Sequence, residues 1–291
     1  MDLRITIDIF SGRPNPVIEL RGRNAAPVLE RLAPGRKLRA REARVPQSTL
    51  GYRGLIIEQV GGRTRKLPRS FRVAGGVLEG EGPEHEPADP RVEDFICGTT
   101  GPIRGLKKER GFPDFCRREI KRFRDLRKRY PWKKYPWPLR RVCRCAPLYE
   151  PDWWNDGGTR QWNNNCYNYG CNYRTDTFAQ PGQAAGAMYT ALSCASVKPA
   201  AIADALIDSP GADNKCPAEG HLVALVIAPG WDFHWYRKGR NGRWTHKPGG
   251  TQATHLDNAG AIITDPRSAD RGPYTQFCSF MVVMHGHIKI Q

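Results

Sequence analysis

The residue best suited to nucleophilic chemistry is Cys166, which lies in the string NNNCYNYGCNY at 163–173. A thiolate attacks where a thiol does not, and a cysteine in the first turn of a helix gains thiolate character from the positive end of the helix dipole. CYNYGCNY predicts such a helix. The amides of Gln161, Asn163, Asn164 and Asn165 stand just before it, where they could donate to an oxyanion, and Trp162 and Tyr167 flank them as substrate contacts. An attacking thiol needs a neutral imidazole to take its proton, and a carboxylate or amide to fix that imidazole's tautomer. Three histidines follow in suitable places. DFHWYRK at 232–238 reads as a strand with Asp232, His234 and Tyr236 on one face and Phe233 and Trp235 on the other. His234 is favoured as the base because Asp232 shares its face. His221, which heads the next upstream strand, is second. His246 falls opposite His234 or its neighbour if the turn at 239–242 closes a tight hairpin. Asp257 and Asp265 are further orienting carboxylates, and Cys171 is an alternative nucleophile. Against all of this stands a plainer reading, since cysteine is often buried without reactivity and strand histidines often serve structural hydrogen bonds.

The elements that must position these residues read as follows. After the TFAQPG loop, 183–197 has helical composition with Ala184, Ala185, Met188, Ala191 and Leu192 on one side, and a second helix at 199–208 starts on Pro199. Strands are predicted at 220–228, 232–238, 242–249 and 276–284. In the N-terminal half, strands at 3–10 and 16–21 are joined by SGRPNP, Asn24 caps a short helix through Leu32, and GYRGLIIEQV at 51–60 is a further strand. The acidic stretch at 79–90 is a loop holding His85, and RVEDFI starts a short helix. The expected fold is α+β in three parts: a β-rich module at 1–100 without a titratable cluster, a basic helix and Pro/aromatic linker at 101–148, and a Cys/His domain with an antiparallel sheet at 149–291.

The net charge is +17, and it is concentrated. From Arg104 to Arg144 there are seventeen Lys/Arg against four Asp/Glu, so the rest of the chain is close to neutral. Phe112, Phe115, Cys116, Ile120, Phe123, Leu126 and Tyr130 recur there at helical spacing, with Asp114 as the expected N-cap. The prolines of YPWKKYPWPLRR end that helix and keep Trp132, Tyr135 and Trp137 in an extended stretch among lysines. Aromatics between cations suit nucleic acid or an anionic surface, while the plainer alternative is a strap whose charges are solvated. Nine cysteines cannot all pair, and no CxxC or H-x3-H spacing exists, so neither metal nor cofactor is implied. The start MDLRITIDIF lacks the apolar run of a secretory signal, and no run approaches the length of a membrane span. These features predict a cytoplasmic protein with reduced thiols and no transmembrane segment.

The strings NNCYNY, FAQPG, DFHWYR and WTHKPG, in this order, resemble a family of uncharacterised bacterial and viral proteins across about 150–285. That resemblance implies one site holding Cys166, His234 and His246. A cysteine-bearing helix followed by histidine-bearing strands is also the chain order of papain-like and NlpC/P60-like cysteine hydrolases. The start IFSGRPNP resembles an N-terminal module of myxobacterial proteins, including the heterocyclisation proteins of crocagin-type peptide tailoring. The functional expectation is a cysteine-dependent hydrolase or acyl transferase acting on a peptide or amide. The alternatives are a non-catalytic peptide-binding partner that uses Trp153, Trp154 and Trp162, and a nucleic-acid binder that uses 104–144.

Overall fold

Alternating apolar residues build two antiparallel sheets among the described residues, each in its own unit of an α+β chain. The computed structural model describes residues 1–62, 64, 66–106, 110–133, 135 and 141–291. The first unit comprises Met1–Ile9, Asn15–Pro46 and Tyr52–Tyr130. The second comprises Phe10–Pro14, Gln47–Gly51 and Pro131–Gln291. This division differs from a linker at 101–148: the basic helix packs within the first unit, and the chain from Pro131 onward belongs to the second.

In the first unit, β1 (Leu3–Asp8), β2 (Val17–Leu20), α1 (Ala26–Leu32), β3 (Pro34–Lys37), β4 (Gly54–Gln59), β5 (Ser70–Ala74), β6 (Val77–Glu79), β7 (His85–Pro87), α2 (Val92–Ile96) and α3 (Phe112–Arg129) follow one another. The sheet order is β2-β1-β4-β5-β6-β7-β3. Leu3, Ile5 and Ile7 alternate inward along β1, as Leu55 and Ile57 do along β4. His85 lies in a strand rather than a loop, paired with Lys37 on β3 and Leu78 on β6. Asn24 ends a short 3-10 turn and caps nothing; Ala25 stands at the helix N-cap, and Pro27 supplies the first-turn constraint.

α3 buries the expected stripe: Phe112, Phe115, Cys116, Ile120, Phe123 and Leu126 are all inside. Its N-cap is Gly111 rather than Asp114, because glycine accepts the left-handed φ of 81° from which the helix starts. Two of its cations are structural. Arg124 bonds Asp94 of α2 at 2.7 Å, and Arg127 donates to the carbonyls of Glu42, Arg44 and Gly75.

The second unit contains α4 (Pro151–Trp154), α5 (Thr159–Trp162), α6 (Cys166–Cys171), α7 (Cys194–Ala203), β8 (Ile207–Asp208), β9 (His221–Ala228), β10 (Asp232–Lys238), β11 (Trp244–His246) and β12 (Gln276–Val283). Its sheet runs β11-β10-β9-β12-β8. The central strand β9 is buried throughout, and its two faces serve two cores. Val223, Leu225 and Ile227 join Phe233, Trp235 and residues of α6 and α7, including Cys166, Cys171, Val197 and Ala201. Leu222, Ala224 and Val226 join Tyr236, Trp244, Ile263, Tyr274 and Phe280 on the other side.

Two expectations fail here. No helix spans 183–197: Gly182 and Gly186, both at positive φ, hold turns, and the helix begins at Cys194 with Pro199 inside it. The cysteines are also not all reduced, since Cys143 bonds Cys216 and Cys194 bonds Cys278. Trp137 lies outside the described residues. Among the described residues, no helix is long and apolar enough to cross a membrane.

Glu119 on α3 is 4% exposed, and burial pushes its carboxyl up to about 7 against the pull of Arg122 and Arg118. A carboxyl whose folded pKa is raised favours the protonated fold. The resulting penalty is absent below the unfolded pKa, grows as pH rises from there, and is complete above the folded pKa. Glu119→Gln is therefore expected to stabilise the protein by up to about 3 kcal/mol above pH ~7 and hardly at all at pH ~4. Urea unfolding at the two pH values measures this. Equal stabilisation at both would contradict it.

Candidate functional site

Asp232 opens β10 with a carboxylate that is 1% exposed. Three successive backbone N–H groups, from Ser11, Gly12 and Arg13, donate to it, the last at 3.0 Å. The Tyr274 hydroxyl adds a bond of 2.5 Å. Consecutive amides that converge on one anion form a nest, which is how a short peptide answers a negative charge. Burial pushes this carboxyl up, while the four donors pull it down. Gly12 has to be glycine, since a Cβ there would stand 2.4 Å from the Phe233 ring.

The loop that forms the nest also delivers Ser11 to the histidines. Ser11 Oγ lies 2.5 Å from His234 Nδ1, His234 Nε2 lies 2.9 Å from His246 Nδ1, and His246 Nε2 lies 2.9 Å from the Leu256 carbonyl oxygen. A carbonyl only accepts, so His246 Nε2 carries the proton. With neutral rings, His246 Nδ1 accepts from His234 Nε2–H, and His234 Nδ1 accepts from the Ser11 hydroxyl. The Gly249 N–H donates to Ser11 Oγ at 3.3 Å. His246 pairs with Tyr236 in register, two residues from His234, and its ring stacks on that tyrosine at 5.0 Å.

Cys166 is the first residue of α6, as expected, with Asn165 as its N-cap. Its side chain nevertheless sits in the core that Phe233 and Trp235 face, while His234 alternates to the other side of β10. The sulfur is fully buried, touches the Phe233 carbonyl at 3.9 Å, and has its pKa raised, chiefly by burial. Both nitrogens of His234 are already bonded elsewhere. Cys166 is therefore an enclosed thiol whose burial disfavours the thiolate. Cys171 is likewise buried and raised.

His221 donates to or accepts from nothing catalytic: Nε2 bonds the Gly170 carbonyl at 2.7 Å, and burial brings its pKa down to about 3. Asp257 accepts from the N–H groups of Ala261 and Asp270 and so staples a loop. Asp265 binds Arg267. Asn165 caps α6 through Oδ1 and donates to the carbonyls of Gly12 and Ala179. Asn164 ties Arg160 to Thr175 and Asp176. Gln161 accepts from Gly157. Asn163 is exposed, and its carbonyl accepts from Phe178. Tyr167 is buried and donates to Asp204 at 2.8 Å. Trp162 is half exposed, with its indole N–H on the Gly157 carbonyl. The side-chain donors of Asn164 and Asn165 are thus engaged in holding loops.

Two participants escaped the sequence reading. Ser11 lies in what reads as a plain turn between strands. Lys247, fully buried, donates to the carbonyls of Gln161, Asn164 and Gly249 at 2.6, 2.6 and 2.7 Å. Gly12, next to Ser11, and Gly249, two residues after Lys247, were the available signal of a close backbone approach. Among the described residues, no three His, Cys, Asp or Glu converge to hold a metal ion. In a hydrolytic relay the distal group is a carboxylate that stabilises an imidazolium. Here it is the neutral Leu256 carbonyl, and Asp232 holds the backbone of a loop. The arrangement ties the 11–13 loop, β10 and β11 together through hydrogen bonds.

No known family profile matches the chain, and no solved structure does. Among curated proteins, insoluble matrix shell protein 1 of Ruditapes philippinarum is 43% identical over 141 residues, spanning 48% of this chain and 91% of that protein. A relative named for a matrix, together with a buried Cys166, overturns the expectation of a cysteine-dependent hydrolase or acyl transferase.

Cys145 is exposed and free, whereas Cys166 is enclosed. A maleimide added to the native protein should label Cys145 within minutes and Cys166 only at the rate of unfolding. Comparable labelling of both, read by peptide mass spectrometry, would contradict the geometry.

Proposed function

Because this chain belongs to the family of insoluble matrix shell protein 1, we propose that it is a non-catalytic structural component of an insoluble extracellular matrix. The 43% identity over nearly the whole of that relative carries the reading. Two disulfides support it, since such bonds persist in oxidising compartments and are rare in the cytosol. The extracellular assignment replaces the cytoplasmic one drawn from the first residues.

The partner proposed is an acidic matrix polymer, held by the outer face of α3. Arg117, Arg118, Lys121, Arg122, Lys128 and Arg129 are exposed there. Asp114, Glu119 and Asp125 pair with Arg117, Arg122 and Lys128, respectively. Among the described residues, no carboxylate forms an ion pair with Arg118 or Lys121. The Arg117–Asp114 and Lys128–Asp125 pairs are exposed and individually weak, so a multivalent polyanion can displace them.

Retention of the full chain on immobilised polyaspartate, eluted by a salt gradient, tests this. The expected result is elution well above physiological ionic strength for the native chain and clearly earlier elution for Arg118→Glu/Lys121→Glu. Flow-through of the native chain at low salt, or no effect of the double reversal, would overturn the α3 assignment.

A further inference from the structure

We propose that the exposed tryptophans of α4 and α5, Trp153 and Trp162, bind a neutral polysaccharide by stacking on the flat faces of its sugar rings. This goes beyond the acidic polymer assigned to α3, because it concerns residues of the second unit and a ligand without charge. Tryptophan is mostly buried in folded proteins, and Trp154, Trp235 and Trp244 are enclosed here. Trp153 and Trp162 are instead 43% and 50% exposed. Neither ring is loose. Trp154 meets Trp153 edge to face, with ring centroids 4.9 Å apart, and the Arg160 guanidinium lies 4.2 Å from the Trp153 centroid. Trp162 donates its indole N–H to the Gly157 carbonyl at 2.9 Å. Gly250 stands against the same ring, where a Cβ would lie 3.2 Å from Cε3.

Both rings are thus fixed before any ligand arrives, which removes an ordering cost from binding. An indole offers a large apolar face with a negative quadrupole and few rotatable bonds. The partner that fits such a face has C–H groups on one side and a polar rim. A β-linked pyranose with equatorial substituents has that form, since its axial hydrogens point to its faces and its hydroxyls lie around its edge. The surrounding charge argues for a neutral chain. From Trp153 to Asn163 the sequence holds one acid and one base, Asp156 and Arg160, and these pair at 3.4 Å. Thr159 and Asn163, exposed in the same segment, supply a hydroxyl and an amide, uncharged groups that suit sugar hydroxyls.

Sedimentation of the full chain with suspended cellulose and, separately, chitin tests this at about 1 M sodium chloride, where charge attraction is screened within roughly 3 Å. Binding to at least one of the two is expected, with affinity about tenfold or more lower for Trp153→Ala and for Trp162→Ala. Trp162→Tyr, which keeps an aromatic face, should retain most of the binding, and Trp132→Ala, which removes an exposed indole outside α4 and α5, should leave it unchanged. A second readout needs no variant: the bound polysaccharide should shield Trp153 and Trp162, but not Trp132, from oxidation by N-bromosuccinimide, mapped by peptide mass spectrometry. No binding to either polysaccharide would overturn the proposal. So would binding at low salt that vanishes at about 1 M, which would assign the capture to charge. Equal oxidation of Trp153 and Trp162 with and without polysaccharide would also overturn it.

Discussion

A carboxylate buried without answering donors is untenable, and the second unit is organised around that constraint. Asp232 is enclosed at the start of β10, where desolvating its charge would cost several kcal/mol if nothing replaced water. The replacement is the nest of amides at Ser11, Gly12 and Arg13, which draws Phe10–Pro14 into this unit. Once the loop is seated, Gly12 lies against the Phe233 ring, its carbonyl receives Asn165 and Gln180, and Ser11 reaches His234. From there the hydrogen bonds continue through His246 to the Leu256 carbonyl. One anion thus sets the positions of a remote loop, the cap of α6 and the segment after β11.

The same logic explains why residues with catalytic reputations serve as structure here. Polar groups inside a fold must be paired, and pairing them fixes the elements that carry them. Lys247 among three carbonyls, Asn164 and Asn165 in their loops, and His234 between Ser11 and His246 all meet that description. Such networks specify one arrangement of loops that hydrophobic burial alone would leave underdetermined. The disulfides add to this, fastening α7 to β12 and the segment before α4 to the one before β9.

Much of the fold was legible because it rests on local periodicity. The period-2 pattern in DFHWYRK correctly separates Phe233 and Trp235 from Tyr236, and the stripe on α3 is the one that is buried. The α+β class with antiparallel sheets follows from the same patterns. What periodicity cannot reveal is which face of β10 receives α6. That single fact puts Cys166 opposite the His234 side, and it depends on long-range packing. The contribution of Ser11 was equally hidden, because its partners lie more than two hundred residues away. Pro199 misled by its preference for first turns, when the start of α7 is set at Cys194. Odd cysteine numbers and absent CxxC spacing likewise say nothing about pairs joined across 73 and 84 residues.

The account stands on a directed, neutral hydrogen-bond chain that begins at the loop on Asp232. Nitrogen-15 NMR of the two imidazoles near neutral pH tests it most directly. The account predicts that His234 and His246 are both protonated on Nε2 alone, held in that tautomer by Ser11 and the Leu256 carbonyl. Finding either ring protonated on Nδ1, or exchanging between tautomers, would contradict it.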